Sequence, residues 1–339
     1  MFRKVIDKLI DFKDTIADKF MDAGMVGKFA IIIVAGLVSM FWLVFAFQYE
    51  INDDIDLKPK KEFVFEGGSQ TVAMAATILS HEINDTIWVP NKPLFYPIAL
   101  GDDMYHYQLG VHFAVTRWAI EMADTIGRER GSGSADKDLL TAIARFNIDP
   151  TAYLFPNAPS EYNEGIAHLR SYNQRIAKGQ ARFERRADNF AIFLDRISKD
   201  LGSQANTIEL KVLTPDMIGA DDLAELTDAE KRILSSNWGH FDLTADDVFY
   251  AVKGRTYAYY ILLAAMGEDF KDVLTQKGAV GKYNKMLLSL KSAADLYSLS
   301  ISNGELMSWF TPSHLSQLGF FVMRANKQID EISDMLIRG

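Results

Sequence analysis

FAIIIVAGLVSMFWLVFAF, residues Phe29–Phe47, is the longest uncharged stretch of the chain. At about 1.5 Å rise per residue a helix of this length covers roughly 28 Å, close to the ~30 Å hydrocarbon thickness of a bilayer. Thirteen of its nineteen residues are large aliphatic, Met or Phe. Each adds a few tenths of a kcal/mol to insertion, for a sum of roughly −4 to −6 kcal/mol, and no charge opposes it. The stretch predicts a transmembrane helix. No second apolar run approaches its length: Tyr257–Met266 (YAYYILLAAM) is ten residues and suits a buried core helix. One crossing is expected.

The flanks of this segment set its type and direction. Its end reads FAFQYE, without the small-residue cleavage pattern of a secretory signal, so it reads as an uncleaved signal anchor. Residues 9–28 and 48–67 each hold three lysines, so the asymmetry lies close in: Lys28 abuts one side, while Gln48–Leu57 holds four acids and no cation. Lys and Arg are retained in the cytoplasm. The expected topology puts residues 1–28 in the cytoplasm and the large carboxyl-terminal domain in the periplasm of a Gram-negative cell. In the tail, Phe2, Val5, Ile6, Leu9, Ile10, Ile16 and Phe20 recur at helical steps. This suits an amphipathic helix on the inner leaflet, or one that extends the crossing segment. Ala35 and Ser39 form a small-xxx-small pair that would let two helices approach, so a homo-oligomer is a possible state.

Composition narrows the partners. Net charge is −9, and because the tail carries six cations against five anions, the remainder holds −10. An acidic domain is unsuited to nucleic acid, whose phosphates require clustered Lys and Arg. The chain has no cysteine, which excludes disulfides, thiolate metal sites and cysteine nucleophiles. The expected partners are the lipid bilayer and other envelope proteins, with no cofactor.

Beyond the anchor, residues 48–68 read as a charged stalk containing Pro59 and ending at Gly67-Gly68. Residues 69–339 then give one helix signal after another. Ser69 caps Gln70–Asn84. Trp88–Asp103, with Pro90, Pro93 and Pro97, reads as a loop. Tyr105–Ile126 returns to helical spacing through Leu109, His112, Phe113, Thr116 and Ile120. Ser134 suits a cap for a helix through Phe146, and Ser160 opens a long pattern to Leu201, softened at Gly165 and Gly179. Ile208–Leu213 (IELKVL) is strand-like, but one strand makes no sheet. Thr227 and Glu230 form a capping box. Thr244 precedes Ala245–Met266, Val280–Ser300 is amphipathic, and Thr311-Pro312 opens the last helix. The fold class is therefore all-α: one amino-terminal transmembrane helix followed by a bundle-like domain of about eight helices, with a sub-boundary near 202–222.

Five groups of residues invite weighing for chemistry. Asp102 and His106, followed by His112, stand four apart, a metal half-site if both share a helix face. Alternatively the carboxylate caps the helix start. Glu164 and His168 have the same spacing and read as a helical pair. The loop GRERGSGS, residues 127–134, places Arg128, Arg130, Ser132 and Ser134 before a helix amino end, a composition suited to an anion. The alternative is a connection whose arginines pair with Asp136 or Asp138. The nine acids between Asp216 and Asp247 match no EF-hand loop and read as a solvated face. Lys178, Arg182, Arg185 and Arg186 read as a salt-bridged helix surface. Neither GxSxG, HExxH nor GxxxxGK[ST] occurs.

PNKPLFYP (90–97), DDMYHYQLG (102–110), GRERGSGSADKDLL (127–140) and ARFERRADNF (181–190) resemble a proteobacterial family of single-pass membrane proteins known only as a domain of unknown function. The resemblance implies a Gram-negative inner membrane and supplies no activity, so no catalytic residue is carried over. The family pattern has Asn where Asp103 stands here, which argues against a role for that position. The expected function is a non-catalytic, membrane-anchored scaffold or regulator of the cell envelope. The alternative is an envelope enzyme or small-anion or lipid binder, with Arg128, Arg130, Asp102 and His106 around a cleft.

Overall fold

The computed structural model describes residues 24–47, 51, 53–93, 102–127, 134–213, 224–235, 244–297, 301–303 and 313–338, with backbone only at 42, 44–47 and 102. Most of the tail, and the Thr311-Pro312 cap, lie outside these residues. The chain divides into two units, the larger beginning at Ile51. Among the described residues every regular element is helical, with eleven α-helices and no strand.

The smaller unit contributes α1, Met25–Phe47, a 23-residue helix that starts four residues before the uncharged run. Among the described residues no helix is long and apolar enough to cross a membrane. For α1 the described side chains stop short of its carboxyl end, since 42 and 44–47 lie outside them.

In the larger unit α2 (Gln70–Ser80) starts where expected, with Ser69 Oγ accepting from the Val72 amide at 3.2 Å. It passes into a π turn at His81–Asp85. α3 (Asp102–Glu121) likewise ends in a π turn, Met122–Ile126. α4 is Lys137–Phe146. Its cap is Asp136, which accepts from the Asp138 amide at 2.9 Å, and not Ser134. The long pattern from Ser160 is two helices. α5 (Ala158–Ala177) is capped by Asn157, with Pro159 in its first turn. It closes at Gly179, whose φ of 69° is left-handed and accessible to glycine at little cost. α6 (Ala187–Val212) follows, so the expected single helix breaks between them.

The strand-like run Ile208–Leu213 is the last turn of α6. Its β-branched residues have no partner strand, whereas Leu201, Gln204, Ile208 and Lys211 share a buried face at helical spacing. α6 also runs unbroken from Gly202 to Val212, through the first half of the suggested sub-boundary. The capping box before α7 (Asp228–Ser235) is formed: Thr227 N donates to Glu230 Oε2 at 2.8 Å and Glu230 N to Thr227 Oγ1 at 3.3 Å. The chain continues through α8 (Ala245–Asp269), α9 (Lys271–Gln276), α10 (Val280–Ala294) and α11 (His314–Arg338). Ser313 caps α11, accepting from the Ser316 amide at 3.1 Å.

α8 is the centre of the unit. It is buried on nearly all sides, from Phe249 to Met266, and packs against α2, α3 and α10. α11 lies against α6 and α10, and α4 against α5. The α3–α8 crossing depends on two glycines. A Cβ at Gly110 would stand 2.1 Å from the Ala251 carbonyl oxygen, and one at Gly254 2.1 Å from the Tyr107 oxygen. Only backbones without side chains reach that separation.

The expected stalk is fastened down. Lys253 Nζ meets Asp53 at 2.6 Å, and the Tyr257 hydroxyl donates to the Asp54 carbonyl at 3.0 Å. Lys60 reaches Ser80 at 2.8 Å and Asp85 at 2.8 Å, and Phe63 is buried. Residues 53–63 are therefore part of the larger body.

Candidate functional site

A cavity of about 500 Å3 opens between α3, the turn after α4, and α8. Its α3 wall is the stripe Leu109, His112, Phe113, Thr116 and Ile120. These positions fall at steps of three and four, so an α-helix brings them onto one face. Ala251 and Arg255 of α8 face them across the glycine crossing. The third wall, residues 146–150, is held from behind: Tyr162 Oη donates to the Ile148 carbonyl at 2.7 Å and Trp88 Nε1 to the Pro150 carbonyl at 3.0 Å. The volume is that of a small-molecule pocket, and its lining is mainly apolar.

His112 is only 6% exposed. It stacks on Tyr162 with centroids 4.5 Å apart and meets the edge of Trp88 at 5.9 Å. Burial lowers its pKa from 6.5 to about 4, against a smaller upward effect from its hydrogen bond to the Phe146 carbonyl. At neutral pH the ring is neutral. The nitrogen that donates to Phe146 carries the proton, and Nε2 presents a lone pair with no partner among the described residues. The Thr116 hydroxyl, 8% exposed, and the Nε–H groups of Arg117 and Arg255 are buried without partners as well.

Both arginines are held by other atoms. The Arg255 guanidinium lies 3.5 Å from the centroid of the Phe113 ring. Its only ion pair among the described residues is with Asp200 at 3.5 Å, whose other oxygen accepts from Tyr259 Oη at 2.7 Å. Burial pulls the Arg255 pKa down from its ordinary value, opposed by the Asp200 carboxylate. Arg117 pairs with Glu121 at 2.8 Å, and Glu121 with Arg196 at 2.6 Å. The side chains that line the cavity thus carry one unpaired acceptor, one unpaired hydroxyl and two unpaired cationic N–H donors among the described residues.

Of the residues expected from sequence, His106 lines this cavity. Arg128, Arg130 and Ser132 fall outside the described residues, as does the side chain of Asp102; Ser134 is described and exposed. His106 pairs with Asp247 of α8 at 3.2 Å. No group of three or more metal-ligating side chains stands together among the described residues. Glu164 and His168 do not pair with each other. Glu164 takes Arg145 at 2.9 Å, and His168 Nδ1 takes Asp138 at 2.9 Å.

Asp136 and Asp138 are engaged by Arg175, Nη2 to Asp138 Oδ2 being 2.6 Å. Burial acts to raise the Asp138 pKa, but hydrogen bonds from His168, Arg175 and Ser171 outweigh it and hold the carboxyl below its usual range. Lys178, Arg182, Arg185 and Arg186 occupy the break between α5 and α6 and are not on one helix. Their salt-bridged character is real, with Arg182–Glu184 at 3.0 Å and Arg186–Asp188 at 2.6 Å.

The family model described as "Uncharacterized protein conserved in bacteria" (DUF2333) matches residues 17–339. The chain belongs to this family. No curated protein and no solved structure matches it. DUF2333 membership covers all of α1 through α11, so the cavity lies within the family's common body. Thr116, Arg117 and Arg255 were not singled out as site residues in the sequence, and His112 only as the histidine that follows the Asp102–His106 pair. The available signal was a histidine and a threonine interrupting an apolar helical stripe, which equally describes a satisfied core.

Proposed function

We propose that the chain is a membrane-anchored, non-catalytic helical protein of the bacterial cell envelope, its larger unit serving as a scaffold or regulatory partner. The supporting observation is α1. Val26, Phe29, Ile32, Ile33, Val34 and Leu37 are all more than half exposed. Consecutive residues on a helix point in all directions, so this apolar surface is not one stripe. Twenty-three helical residues extend about 35 Å, against the ~30 Å hydrocarbon thickness of a bilayer, although the described side chains alone do not make α1 long and apolar enough to cross one. Lys28 in its first turn, and the acids after Phe47, favour a cytoplasmic amino end and a periplasmic larger unit at the inner membrane. The scaffold role is favoured by apolar side chains on the larger unit that stand open among the described residues, Leu154 and Phe155 being 67% and 98% exposed.

The test is extraction and topology. The full chain should stay in the membrane pellet after alkaline carbonate washing, and a carboxyl-terminal alkaline phosphatase fusion should be active. Crosslinking before solubilisation should give one defined complex. Release into the carbonate supernatant would reject the anchor, and a monomer under every crosslinking condition would reject the scaffold.

A further inference from the structure

We propose that the cavity between α3, α4 and α8 is a binding site for a small hydroxylated carboxylic acid with an apolar body. The proposal stands apart from the anchoring of the chain and rests on the hydrogen-bonding capacity of the cavity wall. Truly empty cavities in proteins are lined by apolar groups, and buried polar atoms are almost always paired. Here four buried polar groups, His112 Nε2, Thr116 Oγ1, Arg117 Nε and Arg255 Nε, have no partner among the described residues and belong to side chains that line one space of about 500 Å3.

Their chemistry specifies the occupant. His112 donates its one proton to the Phe146 carbonyl, so Nε2 can only accept. An occupant must bring it an O–H or N–H. Arg117 and Arg255 can only donate, so the occupant must also bring an acceptor. Arg255 decides its charge. This guanidinium is largely buried, and its single carboxylate lies at 3.5 Å and is shared with Tyr259. The cation is under-compensated, and a carboxylate beside it restores the balance at the site. An amine is excluded by the same argument. Leu109, Phe113, Ile120 and Ile148 supply the apolar contact, and Thr116 can serve either end.

Three probes of similar size separate these requirements. 4-Hydroxyphenylacetate carries both groups, phenylacetate lacks the hydroxyl, and tyramine replaces the carboxylate by a cation. The full chain in lipid nanodiscs is titrated with each by calorimetry. 4-Hydroxyphenylacetate should bind saturably at one site, phenylacetate about tenfold more weakly, and tyramine not at all up to about 10 mM. His112→Phe should bring the two acids within about twofold of each other. Arg117→Gln, at a half-exposed position, should weaken both acids about tenfold. Arg255→Gln should do the same but leaves Asp200 buried without its cation, so the Arg117 variant decides if the Arg255 variant fails to fold. The assignment is overturned if no acid binds saturably, if tyramine matches the acids, or if His112→Phe keeps the preference for the hydroxyl. The first of these results would mean that the cavity holds only water.

Discussion

Lowering the pH from 7.5 to 5 should destabilise the fold through His112 in particular, by an amount the structure fixes. The imidazole has a pKa of 6.5 in the unfolded chain and about 4 when folded, because burial penalises the charged ring. A folded value below the unfolded one means that stability is fully present above 6.5 and drains away as pH falls toward 4. The whole gap is worth about 3.4 kcal/mol at about 1.36 kcal/mol per unit. At pH 5 the unfolded ring is almost all protonated while the folded ring is about nine-tenths neutral, which leaves a loss of about 2 kcal/mol.

Other groups titrate over the same range, so the measurement is a difference. Wild-type chain and His112→Gln, whose amide can still donate to the Phe146 carbonyl, are unfolded in urea in nanodiscs at both pH values. Fluorescence can follow the reaction, since Trp88 lies 5.9 Å from the ring. Wild type should lose about 2 kcal/mol more than the variant. A difference below about 0.5 kcal/mol would show that the ring ionises freely in the fold, and the argument for a bare Nε2 acceptor would fall with it.

Two further outcomes follow from the packing. Gly254→Val should cost about 3 kcal/mol or more, because its Cβ would meet the Tyr107 carbonyl oxygen at 2.1 Å and backbone cannot yield as a side chain can; a melting temperature within about 2 °C of wild type would contradict the α3–α8 crossing. Asp138→Asn should cost about 1–2 kcal/mol at pH 7 by weakening the Arg175 and His168 contacts. Because the folded Asp138 pKa is depressed, its contribution is present above the unfolded carboxyl pKa and lost as pH falls through the folded one. The variant and wild type should therefore converge in stability as the pH falls below the ordinary carboxyl range, and a gap that stays constant throughout an acid titration of stability would refute the assignment.

The sequence is most legible where structure is local. Ser69 and the Thr227–Glu230 box each act within three residues, and both are formed as read. The helical stripes of α3 and α8 were legible for the same reason: a period near 3.6 is written in neighbouring residues. What escaped depends on distance along the chain. Asp136 and Asp138 take Arg175, which is 37 residues from Asp138 and was not among the partners considered for them. Arg255 meets Phe113 and Asp200 through tertiary packing, so no spacing announces it. The Ile208–Leu213 error has a related cause. β-branched side chains favour a strand only where another strand exists to pair with, and here burial against neighbouring helices decides.

The cavity is more than a packing defect because its supports are satisfied while its surface is not. Behind the wall, Glu121 holds Arg117 and Arg196 together, Asp200 takes the Tyr259 hydroxyl, and Trp88 and Tyr162 fix the turn after α4. A loosely packed region would leave both layers imperfect, since a void relaxes by letting neighbouring side chains move in. Here collapse is opposed from three sides: by the glycine contact that fixes the separation of α3 and α8, by the Tyr162 stack that fixes the plane of His112, and by the Phe113 ring beneath Arg255. Groups held this way lose little freedom when a ligand arrives, so more of each contact energy appears as affinity. The same rigidity makes the site selective, because walls that cannot close around a smaller or differently charged molecule leave its polar atoms, and their own, unpaired.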